Sequence, residues 1–399
     1  MTKIAYDKSL SLTKTALLIS GIQIDPINNR FIEKLYQYLF YFNISFVYTD
    51  IISEFIWVFD GIKTGKSFLE LSFAGPCIII ALLGTAKTMF LYWYKSLVQK
   101  ILVQLSAMHP EADEGLPSID LDETETKIVK ITVKYLNLVI LLLFYVSTSV
   151  IVAFSLMPAI MMAYSYYKNG ETEFLYPYPV KYFFNHATKE RWPFVYAHHV
   201  WSTVLVGSFV FGSDTLFYAL CAYIQMHFKL LCHHFENMTT ESAGDTRRQL
   251  AEYVVRHQEL IKLVDQVEVL YSKSTLFNLI TSSILICLSG FNITTLADTS
   301  VGILFSIFLY MNLSQISLLC FFGDLIMTSS TALTTAAYNS TWYDTHEDIK
   351  KCVLLVIVRT QKPCKLTAAK FADVNMNAFT TILSRSWSYF ALLRTVYKE

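Results

Sequence analysis

The residues with the clearest chemical pattern lie near the end of the chain, where uncharged polar side chains recur within an apolar stretch. They are spaced by four, three and four residues: Asn377, Thr381, Ser384 and Ser388. This spacing places them on one face of a helix. A polar face on a membrane-spanning helix needs hydrogen bonds from neighbouring helices or contact with water. Two interpretations stay open: contact between helices, or the lining of a pore that several copies enclose.

Ionisable side chains also occur inside stretches apolar enough to cross a membrane. They are Asp50, Glu54, Lys87, Asp214, Asp324 and Arg385. Charges are costly at such positions and often functional. Lys87 and Arg385 are expected either to reach the membrane surface or to pair with a carboxylate. For each residue, a structural and a functional interpretation are both open.

The sequence gives no support for catalysis or for a cofactor. It lacks the GxxxxGK, GxGxxG, GxSxG and HExxH motifs. Four histidines form a loose group around Cys232: His227, His233, His234 and His257. Their spacing does not match the tight pairs that hold zinc. The seven cysteines include no CxxC pair, so neither a metal site nor a disulfide framework is predicted.

Composition places the protein in the membrane class. The 399 residues are 54% hydrophobic and only 16% charged, against about 25% charged residues in soluble domains. The formal net charge is zero, which argues against nucleic acid as a partner. We predict an all-α protein with seven transmembrane helices and membrane lipid around them. The predicted spans are residues 35–59, 71–94, 131–163, 194–228, 275–296, 301–327 and 365–396.

The distribution of Lys and Arg predicts the orientation of these spans. Basic residues are concentrated before span one, after spans two and four, and before span seven, and that side is expected to be cytoplasmic. The N-terminus is then inside and the C-terminus outside, the reverse of a G-protein-coupled receptor. The remaining segments are predicted as a cytoplasmic N-terminal segment (1–34), an outer lid loop (164–193), a cytosolic helical extension (229–274) and a cytosolic anchor helix (338–364).

Aromatic and small residues gather in the predicted outer halves of several spans. An apolar pocket there, with few polar groups, would suit a small volatile or lipid-like ligand. Packing of aromatic-rich spans produces the same composition, so this interpretation stays open too. The candidate pocket residues are Phe73, Cys77, Ser147, Ile151, Phe154, Trp201, Phe305, Phe308 and Tyr310.

The last eighty residues resemble the C-terminal signature of insect odorant receptors. The matching elements are YNSTW at 338–342, QKP at 361–363, LTAA at 366–369 and SYFALL at 388–393. CFFGD at 320–324 also fits. Ala369 stands where glycine is common in that family. The TYxxxxxQF element of the related gustatory receptors is absent.

The resemblance implies an odorant-gated, non-selective cation channel in the plasma membrane of an olfactory neuron dendrite. In that family an odour-specific subunit forms a heterotetramer with a shared co-receptor, and the last helix of each subunit lines the pore. Leu392 and Val396 continue the polar face outward and match the family's hydrophobic gate. The family's ligand pocket lies among spans two, three, four and six.

The family's co-receptor is longer, with a large insertion after span four. This chain lacks the insertion, so it resembles the odour-specific subunit that binds a small volatile ligand. Two alternatives remain from other classes. One is a metabotropic seven-span chemoreceptor that signals through a cytosolic partner, and the other is a transporter.

Overall fold

The computed structural model describes residues 3–26, 29–108, 122–170, 174–238, 243–295 and 299–398, and most of these residues are helical. A short 3-10 helix (Trp342–Asp344) lies between the helix that ends at Asn339 and the helix that begins at Glu347. The α-helices are α1 (Lys3–Ile19), α2 (Arg30–Lys63), α3 (Phe68–Ser72), α4 (Gly75–Trp93), α5 (Lys95–Met108), α6 (Glu123–Asn169), α7 (Trp192–Glu236), α8 (Ala243–Thr295), α9 (Thr299–Asn339), α10 (Glu347–Thr360) and α11 (Met376–Lys398), and the strands are β1 (Thr367–Ala368) and β2 (Ala372–Asp373).

Among the described residues, six helical segments are long and apolar enough to cross a membrane. They contain the first six predicted spans except residues 94, 296 and 301, of which residue 296 lies outside the described part of the chain. The all-α membrane prediction is therefore confirmed at that level. The segments are Arg30–Lys63, Phe68–Trp93, Glu123–Lys168, Trp192–Glu236, Gly244–Thr295 and Gly302–Asn339.

Helix α7 is the centre of the bundle. Its residues between Leu205 and Phe228 are apolar on most sides and mainly buried, as expected of a helix enclosed by others. The helices α1, α4, α6 and α9 all pack against it. In contrast, α6 leaves many of its apolar side chains exposed, which suits a helix that faces lipid.

The N-terminal segment contains a helix that hydropathy alone did not predict. Helix α1 packs against α6 and α7 and buries Leu10 and Leu17. Its polar residues also bond to α7. The Ser9 hydroxyl lies 2.5 Å from the Tyr223 hydroxyl, and Thr13 donates to the Thr215 hydroxyl at 3.0 Å. A helix that packs partly through Ser and Thr hydrogen bonds does not produce a peak in a hydropathy profile.

One end of the bundle, which we call the anchor end, holds the helical extensions. Helices α7 and α9 continue past their predicted spans, and α8 begins well before its span. Helix α10 packs against α8 and α9 and buries Ile349, Val353 and Val356. The predicted anchor segment 338–364 is thus divided among the end of α9, the 3-10 helix and α10.

The start of the seventh predicted span differs from the structure. Residues 365–375 form the β1–β2 hairpin rather than helix, and α11 begins at Met376. Ala369 (φ +49°) and Lys370 (φ +65°) are left-handed, which interrupts a right-handed helix. The side chain of Asn375 then accepts a hydrogen bond from the Ala378 amide at 2.9 Å. The 23 residues of α11 extend for about 35 Å.

The hairpin is tied to α8 by hydrogen bonds. The Glu268 carboxylate accepts from the Thr367 amide at 2.7 Å and also from the Thr367 hydroxyl. The Ala369 amide donates to the Ser272 hydroxyl at 2.9 Å. These polar contacts position the first turn of α11 against α8.

Candidate functional site

A cavity of about 240 Å³ lies between α2, α4, α6, α7 and α9. It follows α7 from Ser202 to Tyr218, a distance of about 24 Å at the helical rise of 1.5 Å per residue. Its lining is mainly apolar. Pockets for drug-sized ligands measure about 300–1,000 Å³. This cavity therefore suits a smaller, largely hydrophobic molecule.

Six of the nine predicted pocket residues line this cavity: Cys77, Ser147, Ile151, Phe154, Phe308 and Tyr310. The structure places the other three elsewhere. Phe73 packs on Phe305, with ring centroids 5.6 Å apart, and Phe305 packs on Phe308 at 6.4 Å, so these two rings form a layer behind the lining. Trp201 is 42% exposed. Its neighbour Ser202 lines the cavity, because successive residues on a helix differ by about 100° in direction.

Sequence analysis missed the contribution of α2. Val47, Asp50, Ile51 and Glu54 all line the cavity, at the i, i+3, i+4 and i+7 positions of one helix face. Asp50 and Glu54 had been noted as ionisable residues inside a span. That signal could have identified this face, because carboxylates at such positions turn toward the interior of a bundle.

The end of the cavity nearest the loop between α6 and α7 is closed by hydrogen bonds to Asp50. We call the described part of this loop, residues 174–191, the lid loop, and this end of the bundle the lid end. Tyr178 donates to Asp50 Oδ2 at 2.9 Å, and Tyr182 donates to Oδ1 at 3.3 Å. The His198 Nδ1 atom lies 3.0 Å from the same oxygen. Asp50 is 3% exposed, so this network provides the polar contacts that a buried carboxylate needs.

His199 completes the attachment of the lid loop. Its ring stacks on Tyr178, with centroids 4.6 Å apart and planes 7° from parallel. Its Nε2 atom lies 2.9 Å from the Tyr182 hydroxyl. His199 therefore contacts the lid loop directly, whereas His198 contacts Asp50 and Thr49 of α2. Within the loop, burial raises the pKa of Tyr176 to about 12, and burial likewise raises the pKa of Tyr182, so both phenols stay protonated at neutral pH.

The Asp50, His198 and His199 side chains offer ligand atoms within 4.8 Å of one another. A metal ion would fit this geometry, but the tyrosine and histidine hydrogen bonds already account for the arrangement. Two of the histidines around Cys232 each pair with a different carboxylate. His233 Nε2 lies 3.1 Å from Asp122, and His234 pairs with Glu125.

An ion pair borders the cavity farther along α7. Lys87 Nζ lies 2.6 Å from Asp214 Oδ1, which confirms the prediction that Lys87 would pair with a carboxylate or reach the surface. The Gln315 amide donates to Asp214 Oδ2 at 2.6 Å. Both carboxylate oxygens therefore have a partner. Asp214 and Gln315 line the cavity as part of a group with no net charge.

The predicted polar stripe lies on the face of α11 that points away from the rest of the chain. The opposite face packs against α8 and α9 through Ile382, Ser386 and Phe390, which are buried. The stripe residues and Leu392 are all exposed, and Val396 belongs to the same helix although its side chain lies outside the described part of the chain. The stripe is Asn377, Thr381, Ser384 and Ser388.

The stripe hydroxyls are partly satisfied by their own helix. Thr381 donates to the Asn377 carbonyl oxygen at 2.8 Å, and Ser388 donates to the Ser384 carbonyl oxygen at 3.0 Å. Such bonds lower the cost of an uncharged polar face without supplying a second helix. The face is left free to meet water or another subunit.

Three comparisons relate this geometry to known proteins. A family model described as "7tm Odorant receptor" matches residues 67–386. The putative odorant receptor 92a of Drosophila melanogaster is 25% identical, with 94% of this chain and 90% of that protein covered. Odorant receptor 67c of the same species is 26% identical, with 92% and 89% covered.

The fold is similar to that of a solved structure. The insect olfactory receptor OR5 from Machilis hrabei, in complex with eugenol, superposes with a TM-score of 0.83. The match covers 99% of each chain at 17% sequence identity. At this identity the likeness shows a common fold.

Proposed function

We propose that this chain, which belongs to the insect odorant receptor family, is the odour-specific subunit of an odorant-gated cation channel. The single observation that carries the proposal is the cavity of about 240 Å³ with a mainly apolar lining, which includes Tyr178 of the lid loop. A small hydrophobic odorant or pheromone of matching size is the ligand. The nine residues predicted from the sequence remain the proposed pocket set, with the six that line the cavity in direct contact.

The pore in this proposal is formed by α11 as the seventh span. Its polar stripe points away from the chain, so four copies around an axis would place four stripes along a shared water path. Leu392 is 63% exposed and lies on the continuation of the stripe. Leu392 and Val396 form the hydrophobic gate, which closes by narrowing and dewetting.

The proposal includes an orientation and a partner. The anchor end and the N-terminus lie in the cytoplasm, and the lid end and the C-terminus face outward at the plasma membrane of an olfactory neuron. The partner is the shared co-receptor, which supplies the remaining subunits of a heterotetramer. The distribution of Lys and Arg supports this orientation.

Ligand binding opens the channel by shifting an equilibrium. The odorant can do so only to the extent that it binds the open arrangement more tightly than the closed one. Helices α8 and α9 connect the two sites, since both contact α11 and both contribute residues to the cavity lining. Tighter packing around an occupied cavity would thereby move α11 away from the pore axis.

Whole-cell recording with a broad odorant panel tests the proposal. The chain is expressed alone and then with an insect co-receptor. Odorant-gated cation current in the pair alone is the expected result. Current from the chain by itself would identify a self-sufficient channel and contradict the requirement for a co-receptor.

A second recording separates the channel from a metabotropic seven-span chemoreceptor. The odorant response is measured in excised patches without nucleotide. Current that persists there requires no cytosolic signalling partner. A response that disappears on excision, together with activation of a tethered G-protein reporter, would contradict the channel mechanism.

A further inference from the structure

We propose that the cavity recognises odorants that carry a basic nitrogen, and that Glu54 binds this nitrogen. This inference rests on the proposed function, because it names the chemical class of ligand for the same cavity. It concerns a residue on α2, outside the four spans to which the family resemblance assigns the pocket.

Glu54 is a buried carboxyl group that the protein leaves incompletely bonded. It is 2% exposed and lines the cavity, and its Oε2 atom has no hydrogen-bond partner among the described residues. A buried carboxyl without a partner is costly in a membrane protein. A ligand that completes its bonding would recover part of that cost when it binds.

The other two carboxylates of the cavity differ from Glu54. Asp50 accepts hydrogen bonds from Tyr178 and Tyr182, and Asp214 is paired with Lys87 and Gln315. Their oxygens are therefore occupied by the protein. Glu54 is left as the carboxyl group with a free oxygen inside the cavity.

The charge of the lining also favours a positively charged group. The lining contains three carboxyl groups, including Glu54, and no Lys, Arg or His among the described residues. Lys87 balances only the Asp214 carboxylate. Asp50 lies one helical turn before Glu54 on the same face of α2. An odorant carboxylate would meet electrostatic repulsion at this end, whereas an ammonium group would be attracted.

Aromatic rings surround the same end of the cavity. The Phe154 ring stacks near Tyr178, with centroids 6.2 Å apart, and meets the edge of Phe308 at 6.2 Å. All three residues line the cavity. Aromatic faces attract ammonium groups and also accept the apolar body of a ligand. Glu54 and these rings together provide the contacts of an amine-binding site.

Binding does not require a charged molecule to enter the membrane interior. A neutral amine can accept the proton of the Glu54 carboxyl group. In this transfer the carboxyl O–H bond breaks and an N–H bond forms on the amine. The products are an ammonium ion and a carboxylate in contact. The net charge of the cavity is unchanged by this transfer. The resulting hydrogen bond joins opposite charges and is stronger than a neutral one.

The first experiment compares ligands of one shape. Benzylamine, benzyl alcohol and toluene are applied to cells that express the chain with a co-receptor. We expect benzylamine to act at a concentration at least tenfold lower than benzyl alcohol. The variant Glu54→Gln keeps the size and hydrogen-bonding capacity of the side chain, so it should raise the benzylamine concentration for half-maximal current at least tenfold and leave the benzyl alcohol response within about threefold.

A matched control uses another glutamate of the same helix. Glu33 is exposed and far from the cavity, so Glu33→Gln should leave both responses unchanged. Equal loss of the amine and alcohol responses in Glu54→Gln, or an unchanged ratio between them, would overturn the proposal.

Thermal unfolding of the purified receptor–co-receptor complex gives a second measurement that does not depend on current. A ligand that binds the folded state raises Tm. Benzylamine should raise Tm in the wild type and not in Glu54→Gln. If this shift occurs without current from any odorant, the amine site stands and the channel proposal fails. If neutral odorants gate current while benzylamine neither shifts Tm nor gates, the channel proposal stands and the amine site is overturned.

Discussion

Polar side chains differ in burial and in hydrogen-bond partners between the cavity and the polar face of α11. Around the cavity, Asp50 and Asp214 are buried and bonded to several partners within the chain. On α11, Thr381 and Ser388 are exposed and bond to their own helix. The cavity is therefore formed within one chain, whereas in the proposed channel the polar face of α11 needs further subunits to enclose water.

This difference predicts where the protein tolerates change. Substitutions of the buried polar residues around the cavity should affect folding, since these groups depend on specific partners. Substitutions on the exposed face of α11 should affect conduction with little effect on folding. Four experiments test this distinction.

The substitution Lys87→Met should have the largest effect. It leaves the Asp214 carboxylate, which is 7% exposed, without its cationic partner, and removing one member of a buried pair costs about 3–5 kcal/mol. Thermal unfolding in detergent and surface labelling in cells would show the loss. The double variant Lys87→Met/Asp214→Asn should recover much of it, because no unpaired charge remains.

The exposed pair between Lys181 and Asp60 provides a control for that experiment. Its atoms are 2.6 Å apart, but the side chains are 46% and 39% exposed. Surface pairs contribute about 0–1 kcal/mol, so Asp60→Asn should be nearly neutral. A loss as large as that of Lys87→Met would contradict the distinction between buried and exposed pairs.

Acidification should destabilise the packing of α8 at the anchor end through His257. Burial, together with a smaller effect of the nearby Arg359, lowers the pKa of His257 to about 4. Because the folded pKa lies below the unfolded value of about 6.5, the stabilisation is present above pH 6.5 and is lost as the pH falls toward 4. The full loss is about 3 kcal/mol at 1.36 kcal/mol per pH unit.

The measurement is the Tm of the detergent-solubilised protein between pH 7.5 and 4.5. Wild type should show a steeper decline than His257→Gln, which cannot acquire a proton. Parallel curves for the two proteins would show that His257 contributes nothing to acid sensitivity.

The substitution Leu392→Ala should raise basal current several-fold while leaving stability almost unchanged. The side chain is exposed in the single chain, and exposed substitutions usually change the free energy of unfolding by less than about 0.5 kcal/mol. A smaller side chain at a hydrophobic constriction admits water more easily. Recording without odorant, together with the Tm, checks both parts.

Leu355 on α10 is a matched control for this variant. It is 68% exposed and lies at the anchor end. Leu355→Ala should change neither basal current nor Tm. An unchanged closed state in Leu392→Ala would count against a gate at this position.

The smallest expected effect is a stabilisation by Ala369→Gly. Ala369 has φ +49°, a region that costs L-residues roughly 1–2 kcal/mol and glycine almost nothing. The greater freedom of glycine in the unfolded chain offsets about half of this gain. The net increase in the free energy of unfolding should be about 0.5–1 kcal/mol, visible as a higher Tm.

A substitution of the neighbouring residue Ala368 tests whether backbone conformation causes the effect of Ala369→Gly. Ala368 is fully buried in β1 and pairs with Ala372, and its φ is not positive. Ala368→Gly should destabilise by about 0.5–1 kcal/mol. If both substitutions change stability in the same direction, backbone conformation is not the cause.

The membrane class, the positions of six spans and the polar stripe on one face of α11 could all be predicted from the sequence. These features follow from local patterns: long apolar runs, and polar residues at helical spacing. The motifs between 338 and 393 also determined the family, which the comparisons confirm. Even the unusual residue Ala369 was visible in the motif, although its left-handed backbone was not.

The tertiary structure alone decided which residues share the cavity. Glu54 and Trp201 both lie in apolar spans, but packing turns Glu54 inward and leaves Trp201 half exposed. Nearly every residue of a span is apolar, so hydropathy carries little information about which side faces a neighbouring helix. The attachment of the lid loop to Asp50 and the hairpin before α11 depend on contacts between distant parts of the chain, for which no local pattern exists.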